Sequence, residues 1–238
     1  MSSITPLSTT PTSAPQLPPM ISSLDGPTPE GQTQPEQRKE VATLFSPQAI
    51  LGRAKPAESV CQRQLRRLGV RFDTPPPVVG PGSCGIASPV KVKSLSGGID
   101  VVPDATLNCP MALAFAKWVK NELSGAARMR YLSGIKSIHQ MSSYSCRTMN
   151  SKRGAKMSEH SKGNAIDIGK IKLNSGKAIV VKRPGFFAFR EKGLLHKVRA
   201  QSCKYFTTVL GPGSDVHHRD HFHFDLRQRK TGYRHCDL

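Results

Sequence analysis

Met157-Ser-Glu-His-Ser-Lys-Gly-Asn-Ala-Ile-Asp-Ile168 and Val216-His-His-Arg-Asp-His-Phe-His-Phe-Asp-Leu226 are the two stretches that organise the chain. Between them they hold His160, Asp167, Asp220, His221 and His223. Imidazole nitrogens and carboxylate oxygens are good zinc ligands, and three protein ligands with one open position make a catalytic site. In the second stretch Phe222 and Phe224 alternate with His221, His223 and Asp225, the period-two pattern of a strand. The phenylalanines then enter a core and the other set faces the opposite side. Ala165–Ile168 reads as a second short strand with Ile166 and Ile168 inward, while small Ala165 leaves room beside Asp167. Gly163 frees the chain to bend between His160 and Asp167. One histidine and the aspartate of the first stretch, with a histidine of the second, could converge on one ion.

The 238 residues carry a net charge of +19, and length alone allows one or two domains. Residues 1–55 are rich in Pro, Ser, Thr and Gln, and balance Arg38, Lys39, Arg53 and Lys55 against Asp25, Glu30, Glu36 and Glu40. The whole surplus of positive charge therefore lies beyond residue 55. Such a composition buries too little apolar surface to offset the entropy of ordering, so 1–55 is expected to be a disordered tail. Residues 56–238 are expected to form one domain, long enough for a sizeable core. No apolar run reaches the length of a transmembrane helix. Nor does the N-terminus show the basic and apolar regions of a signal peptide. Cys61, Cys84, Cys109, Cys146, Cys203 and Cys236 are dispersed without a CxxC pair. An even, scattered set reads as three disulfides rather than a cysteine zinc site, with the pairing left open. Disulfides imply an oxidising compartment, so a periplasmic or secreted location is expected although no signal peptide is visible.

Coarse patterning supplies the remaining elements. Pro56 to Leu68 reads as a first helix stopped by Gly69, and a weak helix is expected at Ser46–Leu51. Val90, Val92, Ile99 and Val101 mark short strands. Asn108 caps the clearest helix, which carries the stripe Met111, Ala114, Phe115, Trp118 and Val119 to Leu123 and ends at Gly125. Ile135–Arg147 reads as extended and Leu173–Val181 as a hairpin turning at Asn174-Ser175-Gly176. Phe186–Ser202 reads as a helix with Leu194, Leu195 and Val198 inward, and Phe206–Leu210 as a strand. The expected fold is α+β: a small, mainly antiparallel sheet carrying the site, with helices on its other face.

Ser158-Glu159-His160 with Gly163, Ala165 and Asp167, followed by Asp220-His221-Phe222-His223, resembles the metal motifs of the zinc peptidases grouped as lysostaphin, D-Ala-D-Ala carboxypeptidase and hedgehog types. A broader resemblance, from about Cys61 to Cys236, is to the bacterial proteins called extensin-like. It is carried by Ser83-Cys84-Gly85-Ile86, Cys109-Pro110-Met111-Ala112, Tyr144-Ser145-Cys146-Arg147, Val209-Leu210-Gly211-Pro212 and Tyr233-Arg234-His235-Cys236. The name refers to proline-rich sequence and implies nothing about catalysis.

The peptidase resemblance implies that His160, Asp167 and His223 hold zinc. It implies a general base at Asp220, three residues before His223, with His221 as the rival for that role. Arg147 would steady the oxyanion, and Ser158 would bind substrate or orient His160. Asp225 would orient a ligand from behind, while His217 and His218 read as loop histidines that could extend the site. The expected activity is a zinc-dependent peptidoglycan peptidase, cutting a stem-peptide amide as a D,D-carboxypeptidase or an endopeptidase. Two alternatives stand beside it: a non-catalytic, metal-containing module that binds the cell envelope, and a metal-dependent nuclease. Aromatic residues for base stacking are thin, so nucleic acid is not the expected partner. The strong positive charge points to peptidoglycan or another anionic envelope polymer. Oligomeric state is left open.

Overall fold

In the computed structural model, which describes residues 59–238, the chain enters through a capped helix, α1 (Val60–Arg67). Ser59 accepts a hydrogen bond from the Gln62 backbone N–H, and the Gln62 side chain accepts one from the N–H of Ser59. This reciprocal cap sets the helix start. The tail assigned to 1–55, the helix at Ser46–Leu51 and the helix start at Pro56 lie outside the described residues.

The strands follow as β1 (Arg71–Asp73), β2 (Val78–Val79), β3 (Gly85–Ile86), β4 (Pro89–Leu95) and β5 (Ile99–Asn108). After a helical run come β6 (Ile135–Ser142), β7 (Ala165–Leu173) and β8 (Ala178–Val180). The C-terminal part adds helix α4 (Phe189–Ser202), β9 (Thr208–Leu210), β10 (Phe222–Asp225) and β11 (His235–Cys236). The class is α+β, as expected, but the sheet is larger than the short apolar runs suggested. Nine strands join in the order β1-β4-β5-β6-β7-β10-β9-β11, with β8 also paired to β7, while β2 and β3 form a separate hairpin. Pairing is mainly antiparallel; β5–β6 and β9–β11 are parallel. The sheet grew because β5 and β7 extend through Lys, Asp and Thr positions that periodicity alone does not mark as strand.

The helix expected to stop at Gly125 runs on. It comprises α2 (Cys109–Trp118), a π-helical turn (Val119–Leu123) and α3 (Ser124–Tyr131). Leu132, in the left-handed conformation at φ 51°, ends it. A glycine inside a helix costs only about 1 kcal/mol relative to alanine. Ala126 and Ala127 just beyond it are buried, so packing outweighs the local penalty.

Helices and sheet meet over an aromatic core. Trp118 is fully buried, donates its indole N–H to the Val198 carbonyl at 3.1 Å, and lies edge-on to Phe224 at 5.1 Å. Phe206 stacks on Phe224 at 4.6 Å. Burying one such ring is worth about 1.5–3 kcal/mol, so this cluster pins β10 to the helical layer. The cysteines pair as Cys61–Cys109, Cys84–Cys146 and Cys203–Cys236. These bridges tie α1 to the start of α2, the β2–β3 hairpin to the segment before Arg147, and the end of α4 to β11. Three disulfides are compatible with a secreted or extracellular protein. No helix among the described residues is long and apolar enough to cross a membrane.

Candidate metal centre

Strand β7 is where the site is built. One edge pairs with β6; the other is shared, with β10 on Ala165–Ile168 and β8 on Lys170–Lys172. The register sets His223 opposite Asp167, Phe222 opposite Ile168 and Phe224 opposite Ile166. Directly opposite residues share a face of the sheet. The aromatic and aliphatic pairs therefore fill the core, and His223 and Asp167 emerge together on the other side.

His160 arrives from a 3₁₀ turn, Glu159–Lys162. Ser158 caps that turn, its hydroxyl accepting the His160 N–H at 3.3 Å. Ser158 thus fixes the backbone of the turn, while the ring itself is held elsewhere. Gly163 closes the turn in the left-handed region at φ 61°. A Cβ there would collide with the Ile86 Cδ1 and come within 2.9 Å of the Asn108 backbone N. That nitrogen instead donates to the Gly163 carbonyl at 2.8 Å, so only glycine permits both the bend and the close approach.

The three side chains converge. His160 Nε2 lies 3.1 Å from Asp167 Oδ2, His223 Nδ1 lies 2.8 Å from Asp167 Oδ1, and the two imidazole nitrogens are 3.3 Å apart. Ligand atoms around a tetrahedral ion with bonds of about 2.0–2.1 Å stand about 3.3 Å apart, so the set needs little adjustment. Each ring is also held from behind. His160 donates its Nδ1–H to the Ser143 carbonyl at 2.7 Å, which leaves Nε2 available to an ion. His223 meets the buried Asp225 carboxylate at 3.2 Å through Nε2, which leaves Nδ1. Among the described residues, His160, Asp167 and His223 are the His, Cys, Asp and Glu side chains grouped closely enough to hold an ion.

The electrostatics of the site follow from this packing. Burial disfavours charge on both Asp167 and His223, but their mutual hydrogen bonding outweighs it. With His160 and His223 as partners, Asp167 titrates well below the usual carboxylate range. Asp167 and Asp225 together raise His223 from 6.5 to about 9. Without metal, the stability supplied by that proton is complete below about pH 6.5 and is lost as pH rises through about 9. A metal ion must displace this proton. Its affinity is therefore expected to climb roughly tenfold per pH unit between those limits. Isothermal titration with zinc in two buffers of different ionisation enthalpy should show proton release near one per ion at pH 7. Binding that is insensitive to pH over 6.5–8.5 would contradict the shared-proton arrangement.

A cavity of about 500 Å³ opens over the triad, with Arg147, His218 and His221 on its walls. The Arg147 guanidinium reaches Asp167 Oδ2 at 3.5 Å. His221 donates its Nδ1–H to Asp220 at 2.9 Å, leaving Nε2 free, 3.8 Å from Asp167 Oδ1. Asp220 itself is exposed and does not line the cavity. Three residues before His223, Asp220 is out of phase with it along a strand, and its carboxylate meets the far side of His221. His218 was read mainly as a loop residue; the fold buries it, with Nδ1 on Asp215 at 2.8 Å and its ring 5.5 Å from that of His223. Burial pushes the His218 pKa down, against the raising effect of Asp215. Its closeness to Asp220 in sequence hinted at this position, whereas the Ser143 carbonyl behind His160, being main chain, left no trace in residue type.

The family model described as extensin-like protein C-terminus matches residues 59–237. No curated protein and no solved structure matches the chain.

Proposed function

The chain belongs to the extensin-like protein C-terminus family, and we propose that within it this domain is a zinc-dependent peptidase of peptidoglycan, cutting an amide bond of the stem peptide. The observation that carries this reading is the three-ligand set His160, Asp167 and His223, with its ligand tautomers held by Ser143 and Asp225 and one side open to the cavity. The kinship to zinc peptidases rests on the motifs themselves. A zinc ion held there would supply Lewis acidity toward a scissile carbonyl and toward water.

The side chains around it have complementary tasks. His221 accepts a proton at Nε2 from the attacking water, because its Nδ1–H is committed to Asp220. Asp220 keeps that tautomer and steadies the imidazolium that forms. The same His221 then returns the proton to the leaving amine. Arg147 brings positive charge to the rim where the carbonyl oxygen gains negative charge. The surplus of Lys and Arg draws the domain toward an anionic wall polymer, an attraction that weakens with salt.

Purified, zinc-loaded protein incubated with peptidoglycan, with the soluble products read by mass spectrometry, tests the reading. Release of terminal D-Ala, or splitting of cross-linked dimers, is the expected result and names the bond. A second reading, a metal-containing module that binds the envelope without catalysis, draws support from the exposure of Asp220 outside the cavity. Stoichiometric zinc with no fragments from any wall type would establish that one instead.

A further inference from the structure

Three of the eight phenylalanines among the described residues stand in the open, close together in sequence. Phe186 and Phe187 are each 84% exposed and Phe189 is 67% exposed, whereas Phe115, Phe206, Phe222 and Phe224 are buried. They project from the segment 182–188 between β8 and α4 and from the first turn of α4. The segment is held in shape: Val181 N–H donates to the Gly169 carbonyl at 2.8 Å, and Ala188 N–H to the Gly185 carbonyl at 3.0 Å. A clustered apolar tip of this kind marks an interaction site.

Charge surrounds the tip. Lys182, Arg183, Arg190 and Lys192 flank it and are all exposed. Between residues 168 and 214 the chain has ten Lys and Arg and one acidic residue, Glu191. Lys177 already engages that carboxylate at 2.7 Å. Behind the tip lies a second cavity of about 290 Å³, lined by Lys182, Arg183, Lys192, His196 and Arg199. Arg199 is nearly buried and makes no ion pair among the described residues, donating instead to the Pro212 carbonyl and the Ser214 hydroxyl. The surface thus pairs an apolar wedge with a mainly cationic recess.

We propose that this loop is a membrane-contact element: Phe186, Phe187 and Phe189 enter the interface of an anionic phospholipid bilayer while Lys182, Arg183, Arg190 and Lys192 hold its phosphates. Peripheral attachment takes both signals, since buried apolar area and attraction to anionic headgroups add. The rings favour lipid over a glycan. Phenylalanine offers no polar atom to a sugar hydroxyl, and Phe186 stands perpendicular to Phe187 at 5.1 Å, so the two share no flat platform for stacking. Attachment of this kind requires no transmembrane helix and does not depend on the metal centre.

Vesicle sedimentation of the full chain tests this directly. Vesicles of phosphatidylcholine alone are compared with vesicles containing three parts in ten phosphatidylglycerol. The wild type should bind the anionic vesicles and weaken at least about tenfold when salt rises from 0.1 to 0.5 M. Serine at all three phenylalanine positions should weaken it at least about tenfold at either salt. These side chains are exposed, so the variant should keep its fold and its metal content. A Phe187→Trp variant should shift its emission to the blue on anionic vesicles and be quenched by brominated acyl chains, against a constant signal from buried Trp118. Equal vesicle binding by wild type and triple-serine variant, or Phe-dependent binding to purified sacculi without any vesicle binding, would overturn the proposal.

Discussion

His223→Ala is expected to strip the centre of metal, leaving well under a tenth of an ion per chain after dialysis against zinc at low micromolar concentration. The imidazole is one of the three donors grouped closely enough to hold an ion, and its loss also leaves Asp167 and Asp225 without the ring that joins them. Removing a partner behind a ligand typically costs ten- to a hundredfold in metal affinity. Asp225→Asn should fall in that range, and loss of the ligand itself should exceed it. His221 lies 3.8 Å from Asp167 Oδ1 but stands outside the three-residue group, so His221→Ala should retain most of its metal, while peptidase turnover falls by about 10²–10⁴, the usual worth of a general acid–base group. Asp220→Ala should also retain metal and lose a smaller factor, because its carboxylate orients His221 from outside the cavity. Metal analysis and turnover on the same four preparations separate these roles. A loss in Asp220→Ala as large as in His221→Ala would return the base to Asp220, and full metal in His223→Ala would remove the centre from consideration.

Removing the Cys84–Cys146 bridge, by serine at both positions, should carry the second largest effect. The bridge closes 62 residues, and in the chain-entropy account such a constraint is worth roughly 4 kcal/mol. For a domain of this size that corresponds to a fall in Tm of about 8–16 °C. The loss should also be local. Cys146 precedes Arg147, whose carbonyl accepts the Ser158 N–H at 3.1 Å, and Ser145 N–H donates to the His160 carbonyl at 3.1 Å. Loosening this arm frees Arg147 before it frees the ligands, so turnover should drop at temperatures where the variant remains folded and metal-loaded. Calorimetry with turnover at 15 °C makes the distinction. A variant that melts lower yet turns over as fast as wild type when folded would show that Arg147 needs no such anchoring.

Much of the centre was legible because its chemistry is local. Alternation in Phe222-His223-Phe224-Asp225 is a direct consequence of strand geometry, and the structure places those side chains on the faces that alternation assigns. Leu194, Leu195 and Val198 face inward on α4 by the i, i+3/i+4 recurrence of a helix. Gly125 does not end the helix because its local penalty of about 1 kcal/mol is outweighed by the burial of Ala126 and Ala127 beyond it. The size of the sheet was not legible where polar residues occupy β5 and β7, each of which pairs with a hairpin neighbour, β4 or β8, and also with a distant strand, β6 or β10.

By itself, the amino-acid sequence determined residue types and short periodicities: which histidines and aspartates sit at strand or turn positions, which side of β10 enters the core, and that six dispersed cysteines are available to pair. Tertiary structure alone decided what depends on registers between distant segments. The pairing of His223 with Asp167, the Ser143 carbonyl behind His160, the Asp215 partner of His218 and the three disulfide partners are of this kind. So is the turning of Asp220 outward onto His221. Periodicity constrains a side chain relative to its own backbone, whereas these contacts are set by how the whole sheet closes over its aromatic core.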